Sequence, residues 1–229
     1  MPLFSTGPSL LDISLVFYIT YSVSTLLAQV ASIGILIVSL IYCWRRGAPR
    51  YMRGLPLYFF VSDLTEVLVI IFRKGHYIYV YGAFMYIDTL YLLYFFSLLL
   101  GSSLRRSLWA GIFIVLIPSL AFYFYTKRLW GAVAVAAELE SIVLIIPCMI
   151  FYRRLFERPK IAVLEKDPGF WMVTGIFFYF FIRFPVIWFT GYYHLVDSQP
   201  FSAGVYSINN YSLVISYALF TKAMVCLTK

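Results

Sequence analysis

The sequence predicts an all-α integral membrane protein, a single bundle of seven transmembrane helices with its N-terminus outside and its C-terminus in the cytoplasm. Of its 229 residues, 62% are hydrophobic and only 12% are charged, whereas a soluble domain has about 25% charged residues. The mean hydropathy is +0.87. This composition excludes a soluble globular domain, a disordered chain and, despite the formal net charge of +8, a nucleic-acid binder.

Seven apolar segments are each long enough to form a membrane helix, which needs about 20 mostly apolar residues. They occupy residues 19–44, 56–72, 77–100, 108–125, 130–152, 170–193 and 203–227. The segments are continuously apolar, whereas a barrel strand has about 10 residues of alternating polarity. We therefore expect one helical domain over residues 1–229. Its loops are too short to contain a soluble output domain.

The basic residues of the loops predict the orientation. Twelve fall in the first, third and fifth loops and the C-terminal tail: Arg45, Arg46, Arg50, Arg53, Arg105, Arg106, Arg153, Arg154, Arg158, Lys160, Lys166 and Lys229. The opposite side has four, Arg73, Lys74, Lys127 and Arg128. Because cytoplasmic loops carry the excess of Lys and Arg, the side with twelve is expected to face the cytoplasm of a plasma (inner) membrane.

Seven ionisable residues lie inside the predicted spans, where each costs about 2.5–3.5 kcal/mol if left facing lipid. They are Asp63, Glu66, Asp88, Glu138, Glu140, Arg183 and Lys222. Glu138 and Glu140 point about 200° apart on a helix, so they cannot both face one cavity. We take the five acids and Arg183 as candidates for an interior ligand or ion site.

Two interpretations of these charges remain open. Buried ion pairs, Arg183 to an acid for example, can serve packing alone. However, five acids against two bases leave an excess of carboxyl groups that must be protonated, hydrogen-bonded to Tyr or Ser, or paired with a cation. An intramembrane enzyme is not expected, because the spans contain no His-rich metal cluster, no Ser/His pair and no Gly-rich phosphate loop.

The segment Phe184-Pro185-Val186-Ile187-Trp188 and Lys222 in the last helix resemble the retinal-binding end of microbial rhodopsins. That resemblance implies retinal as cofactor, Lys222 as the Schiff-base lysine, Pro185 and Trp188 beside the chromophore, and Asp88 at the counterion position. The sequence departs from the family pattern at Met85, Thr89, Phe181 and Ala218.

A second resemblance covers most of the chain. Tyr86-Ile87-Asp88-Thr89-Leu90, Asp167-Pro168-Gly169-Phe170-Trp171 and Ile208-Asn209-Asn210 are similar to stretches of small, uncharacterised bacterial seven-helix membrane proteins. Those proteins usually have Glu at the position of Asp88. The resemblance implies a bacterial inner-membrane protein with a carboxylate in its third helix, and an association with sensory systems.

Three functions are compatible with these observations. The first is a sensor or receptor-like protein that binds an unidentified small ligand or ion and signals through a cytoplasmic protein partner contacted by the Arg153–Lys166 loop. The second is a proton- or cation-coupled transporter or channel that uses the buried carboxylates. The third is a retinal-binding photoreceptor or pump. A homo-oligomer is compatible with the sequence, and neither nucleic acid nor metal is expected.

Overall fold

The computed structural model describes residues 10–43, 48–72, 77–157, 164–196 and 199–228. In these ranges the chain is helical and contains no strand. Its long helices are α1 Leu10–Cys43, α2 Leu55–Ile71, α3 Tyr77–Leu100, α4 Ser102–Thr126, α5 Leu129–Glu157, α6 Pro168–Val196 and α7 Gln199–Val225. Short 3₁₀ turns occupy Arg50–Met52, Leu164–Lys166 and Cys226–Thr228.

The seven predicted segments correspond to these helices, but several helices extend beyond the apolar run. The fourth begins at Ser102 rather than near residue 108. Gly101 has a positive φ of 85°, a conformation that Gly adopts without strain, so α3 ends there and α4 begins immediately afterwards. Pro56 lies in the first turn of α2, where its missing N–H leaves no helical bond unmade.

Six helices in the described part of the chain are long and apolar enough to cross a membrane. Their outward faces carry large exposed apolar side chains such as Ile33, Phe113, Ile117 and Phe124, each more than half exposed. These side chains are suited to contact with lipid. The seventh helix, α7, has 27 residues but is more polar, because it carries Asn209, Asn210 and several serines.

Helix α7 closes the bundle. Each helix packs against its neighbour in sequence, and α7 packs extensively against both α1 and α6. Helix α3 also contacts α5 directly, which places α4 at the outside of the bundle. Phe95 and Phe96 of α3 are fully buried, as are Leu144 of α5 and Met224 of α7. The middle of α3 therefore faces the centre of the bundle.

Candidate functional site

A buried ion pair joins α5 to α6 near the middle of the bundle. Arg183 donates from its Nη1 to Oε2 of Glu140 at 2.8 Å. Glu140 is completely buried, and the Arg183 side chain is only 17% exposed. The other oxygen of Glu140 accepts a hydrogen bond of 2.7 Å from Thr89 of α3. Glu140 thus has a partner for each oxygen, as burial of a charged group requires.

Asp88 is the second carboxyl group of this region. It is 6% exposed and accepts a hydrogen bond of 2.8 Å from the hydroxyl of Tyr58 in α2. The ring of Tyr58 stacks on Tyr91 at 4.4 Å between centroids. Asp88 and Thr89 are consecutive and differ by about 100° around α3. One therefore reaches α2 and the other α5.

Arg183 interacts electrostatically with both acids, although its ion pair is with Glu140 alone among the described residues. Its guanidinium carbon lies 5.6 Å from the ring centroid of Tyr179 and 5.4 Å from that of Phe180. Such ring contacts stabilise a cation most where water is excluded. Tyr179 lies in hydrogen-bonding range of Asn209 in α7, and the amide oxygen of Asn209 is buried without a partner among the described residues.

We call Asp88, Glu140 and Arg183, with Tyr58 and Thr89, the Arg183 cluster. It contains two carboxyl groups and one guanidinium, so at most one carboxylate is neutralised by the cation. The structure contains the pairing of Arg183 with an acid that the sequence indicated, and it identifies Glu140 as that acid.

Asp63 lies in a separate polar group between α1, α2 and α7. The Ser32 hydroxyl donates to one Asp63 oxygen. Tyr217 of α7 lies near Asp63, Ser32 and Ser62. The second oxygen of Asp63, Oδ2, is buried and has no partner among the residues that the structure describes.

The other two predicted acids are less enclosed. Glu66 is near Asp63 but turns towards α3, where the Tyr81 hydroxyl lies 3.5 Å from each of its oxygens. Glu138 is half-buried and has no hydrogen-bond or ion-pair partner in the described ranges. It lies on a different face of α5 from Glu140, as the separation of two residues predicted.

The three residues singled out by the rhodopsin resemblance lie at the outside of the bundle. Pro185 is exposed and Trp188 is 62% exposed. Lys222 is also exposed, and its Nζ lies 5.9 Å from the ring centroid of Trp171. A shallow groove beside it is lined by Glu165, Lys166, Lys222, Val225 and Cys226. Asp88, the counterion position of that resemblance, is instead hydrogen-bonded to Tyr58.

The basic fifth loop is only partly within the described residues, because 158–163 lie outside them. At its start, Arg153 forms an exposed ion pair of 2.7 Å with Glu157. Arg154 donates to the carbonyl of Leu100 at 2.6 Å and so attaches the end of α5 to the end of α3. Of the other loop residues used to predict orientation, Arg45, Arg46, Arg73, Lys74, Arg158, Lys160 and Lys229 also lie outside the described ranges.

Sequence reasoning missed the uncharged members of these sites. Tyr58, Thr89, Tyr179, Tyr217 and Ser32 provide the hydroxyl or ring contacts of the buried charges. Helical spacing contains part of the signal, because Tyr179 is four residues before Arg183 and therefore shares its face. Among the described residues, no group of three or more His, Cys, Asp or Glu side chains could hold a metal ion.

Comparison with protein-family models, with curated proteins and with solved structures gives no match for this chain. The functional argument therefore depends on the helical, membrane-type architecture and on the geometry of the buried polar groups.

Proposed function

We propose that this protein is a seven-transmembrane, receptor-like sensor whose switching element is the Arg183 cluster. The observation that carries the proposal is a guanidinium that is paired with one buried carboxyl group and interacts electrostatically with a second. Arg183 is paired with Glu140 of α5 at 2.8 Å, and it also interacts electrostatically with Asp88 of α3. Intramembrane ionisable groups usually mark ligand or ion sites.

Two arrangements of this cluster are chemically reasonable. In the first, Arg183 pairs with Glu140 while Tyr58 satisfies Asp88. In the second, Arg183 pairs with Asp88 and Glu140 keeps the Thr89 hydroxyl. A small ligand or ion that neutralises or occupies one carboxyl group would favour one arrangement, because it binds the two states with different affinity. Helix α6 would then move relative to α3 and α5.

The orientation and the partner are part of the proposal. The excess of basic residues in the first, third and fifth loops supports a cytoplasmic position for those loops. Since these loops cannot contain an output domain, a sensor of this kind needs a separate protein partner. The segment that starts at Arg153 and continues through Lys166 connects α5 to α6, so a movement of α6 would be transmitted to it directly.

Spin labels test the two-arrangement model without knowledge of the ligand. Ile71 of α2 and Trp188 of α6 are 67% and 62% exposed, so both can be replaced by labelled Cys after Cys226→Ser, with Cys43 and Cys148 buried. We expect Glu140→Gln to move the electron–electron distance distribution by at least about 2 Å, the size of common helix shifts. A second pair, at Leu57 of α2 and Phe156 of α5, reports whether the distance between these two helices also changes at the other end of the bundle.

Glu138→Gln is the matched control, because it removes a carboxylate from the same helix but not from the cluster. It should leave both distance distributions unchanged. Adding Asp88→Asn to Glu140→Gln should reverse the shift, since Arg183 then has no second carboxylate to approach. Distributions that are identical in wild type and Glu140→Gln would contradict the switch.

A second candidate function is supported by the continuity of the polar interior. Tyr217, which lies near Asp63, also interacts electrostatically with Tyr58 and Tyr179, so hydroxyl groups lie between Asp63 and Asp88. Such a chain could carry protons. Proteoliposomes that contain a pH-sensitive dye distinguish the two functions: a sensor leaves the proton leak at the level of protein-free vesicles, whereas flux that Asp88→Asn abolishes identifies a transporter.

A further inference from the structure

Asp63 has an oxygen for which the described residues provide no donor. The Ser32 hydroxyl donates to Oδ1, but Oδ2 is shielded from solvent and has no hydrogen-bond partner among the described residues. A buried carboxylate oxygen without a partner is costly in a medium of low dielectric constant. Oδ2 of Asp63 therefore requires either a proton or a cation as its partner.

Three hydroxyl groups from different helices lie near Asp63. They belong to Ser32 of α1, Ser62 of α2 and Tyr217 of α7. The Tyr217 hydroxyl lies near both serines and interacts electrostatically with Asp63. Ser32 and Tyr217 are 8% and 7% exposed. Hydroxyl oxygens can accept as well as donate, so all three can turn a lone pair towards a cation beside Asp63.

Among the residues that the structure describes, no basic side chain forms an ion pair with Asp63. The described ion pairs are Arg153 with Glu157 and Arg183 with Glu140. Among the described residues, the titratable groups that interact electrostatically with Asp63 are Tyr217 from α7 and Glu66, one turn away on α2, whose carboxyl group turns towards Tyr81. Both are neutral or negative. The local charge is thus negative whenever Asp63 is ionised.

We infer that Asp63, Ser32, Ser62 and Tyr217 form a binding site for a monovalent alkali cation, with Na⁺ as the ion to test. All of its ligands are hard oxygen atoms, which favour alkali and alkaline-earth ions over transition metals. A single carboxylate matches one positive charge, whereas Ca²⁺ sites typically combine several carboxylates with carbonyl and water ligands. The site is separate from the Arg183 cluster, and its existence does not depend on the proposed sensory function.

A bound cation would connect α1, α2 and α7, since each helix contributes an oxygen ligand. It would also fix the Tyr217 hydroxyl, which lies near Tyr58 and Tyr179. Tyr58 is the hydrogen-bond donor to Asp88, and the Tyr179 ring contacts Arg183. Occupancy of the cation site would therefore affect the groups that hold the Arg183 cluster.

Thermal unfolding of the purified full chain in nanodiscs tests the site. The melting temperature is measured in NaCl, KCl and choline chloride at equal ionic strength, over a series of salt concentrations. Because a ligand that binds only the folded state stabilises it, we expect Na⁺ to raise the melting temperature saturably, by about 5 °C, relative to choline. Asp63→Asn should remove the difference between Na⁺ and choline.

Glu66→Gln is the matched control and should keep the Na⁺ response, because Glu66 faces Tyr81. If Asp63→Asn does not fold, Ser32→Ala provides the test, since loss of one ligand should move the saturation to higher Na⁺ concentration. A wild-type melting temperature that is equal in all three salts would overturn the inference and leave a protonated Asp63. A Na⁺ response that is unchanged in Asp63→Asn would also overturn it.

Discussion

Arg183 of α6 and Glu140 of α5 form the buried ion pair of the described structure, with 2.8 Å between Nη1 and Oε2. The pair has consequences for both neighbouring acids. It satisfies a buried Glu, and it leaves Asp88 within the electrostatic reach of the same guanidinium without a direct ion pair. Removal of Arg183 would leave Glu140 buried without a cation, whereas removal of Glu140 would leave Asp88 as a second carboxyl group with which Arg183 interacts.

We expect Arg183→Ala to destabilise the protein strongly. Loss of one partner of a buried pair typically costs about 3–5 kcal/mol, because the other charge stays buried and unpaired. Unfolding in mixed micelles measures the change in the free energy of unfolding. Arg153→Ala is the matched control, since its ion pair with Glu157 is 79% and 54% exposed, and it should have little effect. Equal effects of the two substitutions would contradict the buried pairing.

The stacked rings of Tyr58 and Tyr91 allow a second comparison. Tyr58→Phe removes the donor to Asp88 and keeps the ring stacking, so we expect a loss of about 0.6–2 kcal/mol. The buried hydroxyl of Tyr91 has no partner among the described residues, so Tyr91→Phe should be neutral or stabilising. Thermal shifts of the two variants provide the measurement. A larger loss for Tyr91→Phe would be inconsistent with the described hydrogen bonds.

Close packing of α6 against α7 depends on Gly175. A Cβ placed there would lie 2.5 Å from Phe220 Cε1 and 3.2 Å from the Ser216 carbonyl oxygen. Gly175→Ala should therefore lower the melting temperature, because the added methyl group separates the two helices. A Cβ at Gly34 would have no neighbouring atom within 4 Å. Gly34→Ala should therefore be neutral or raise stability by about 0.5–1 kcal/mol, because Ala has the higher helix propensity. An increase in the melting temperature for Gly175→Ala would argue against this packing.

The predicted orientation can be measured with terminal fusions. A fluorescent protein at the C-terminus should be bright, and an alkaline phosphatase there should be inactive, because that enzyme needs the oxidising exterior to form its disulfides. Fusions at the N-terminus should give the opposite results. Phosphatase activity at the C-terminus would reverse the topology and move the Arg153–Lys166 segment to the outside.

The helices could be predicted from the sequence because apolar length is a property of single segments. The separation of Glu138 from Glu140 followed from helical geometry in the same way. The partners of the charges could not be predicted, since they depend on how helices rotate against each other. Asp63 and Glu66 share a face of α2, yet one contacts Ser32 of α1 and the other Tyr81 of α3.

Tyr58 and Thr89 illustrate the same difficulty. Tyr is abundant in this chain, with 20 residues, and many are expected in interfacial belts. No local pattern distinguishes the one that donates to Asp88. The Thr89 hydroxyl oxygen also lies 2.9 Å from the Met85 carbonyl oxygen of its own helix, the acceptor that Thr commonly uses in membrane helices. Only the approach of α5 to α3 shows that the same hydroxyl reaches Glu140.

The coupling between Arg183 and Asp88 tests the central claim most directly. A double-mutant cycle with Arg183→Gln and Asp88→Asn gives this coupling energy, first in the wild-type background and then with Glu140→Gln. If the two acids share one guanidinium, loss of Glu140 should strengthen the coupling by about 1 kcal/mol or more. A coupling energy that is near zero in both backgrounds would contradict the account, because Arg183 would then serve Glu140 alone.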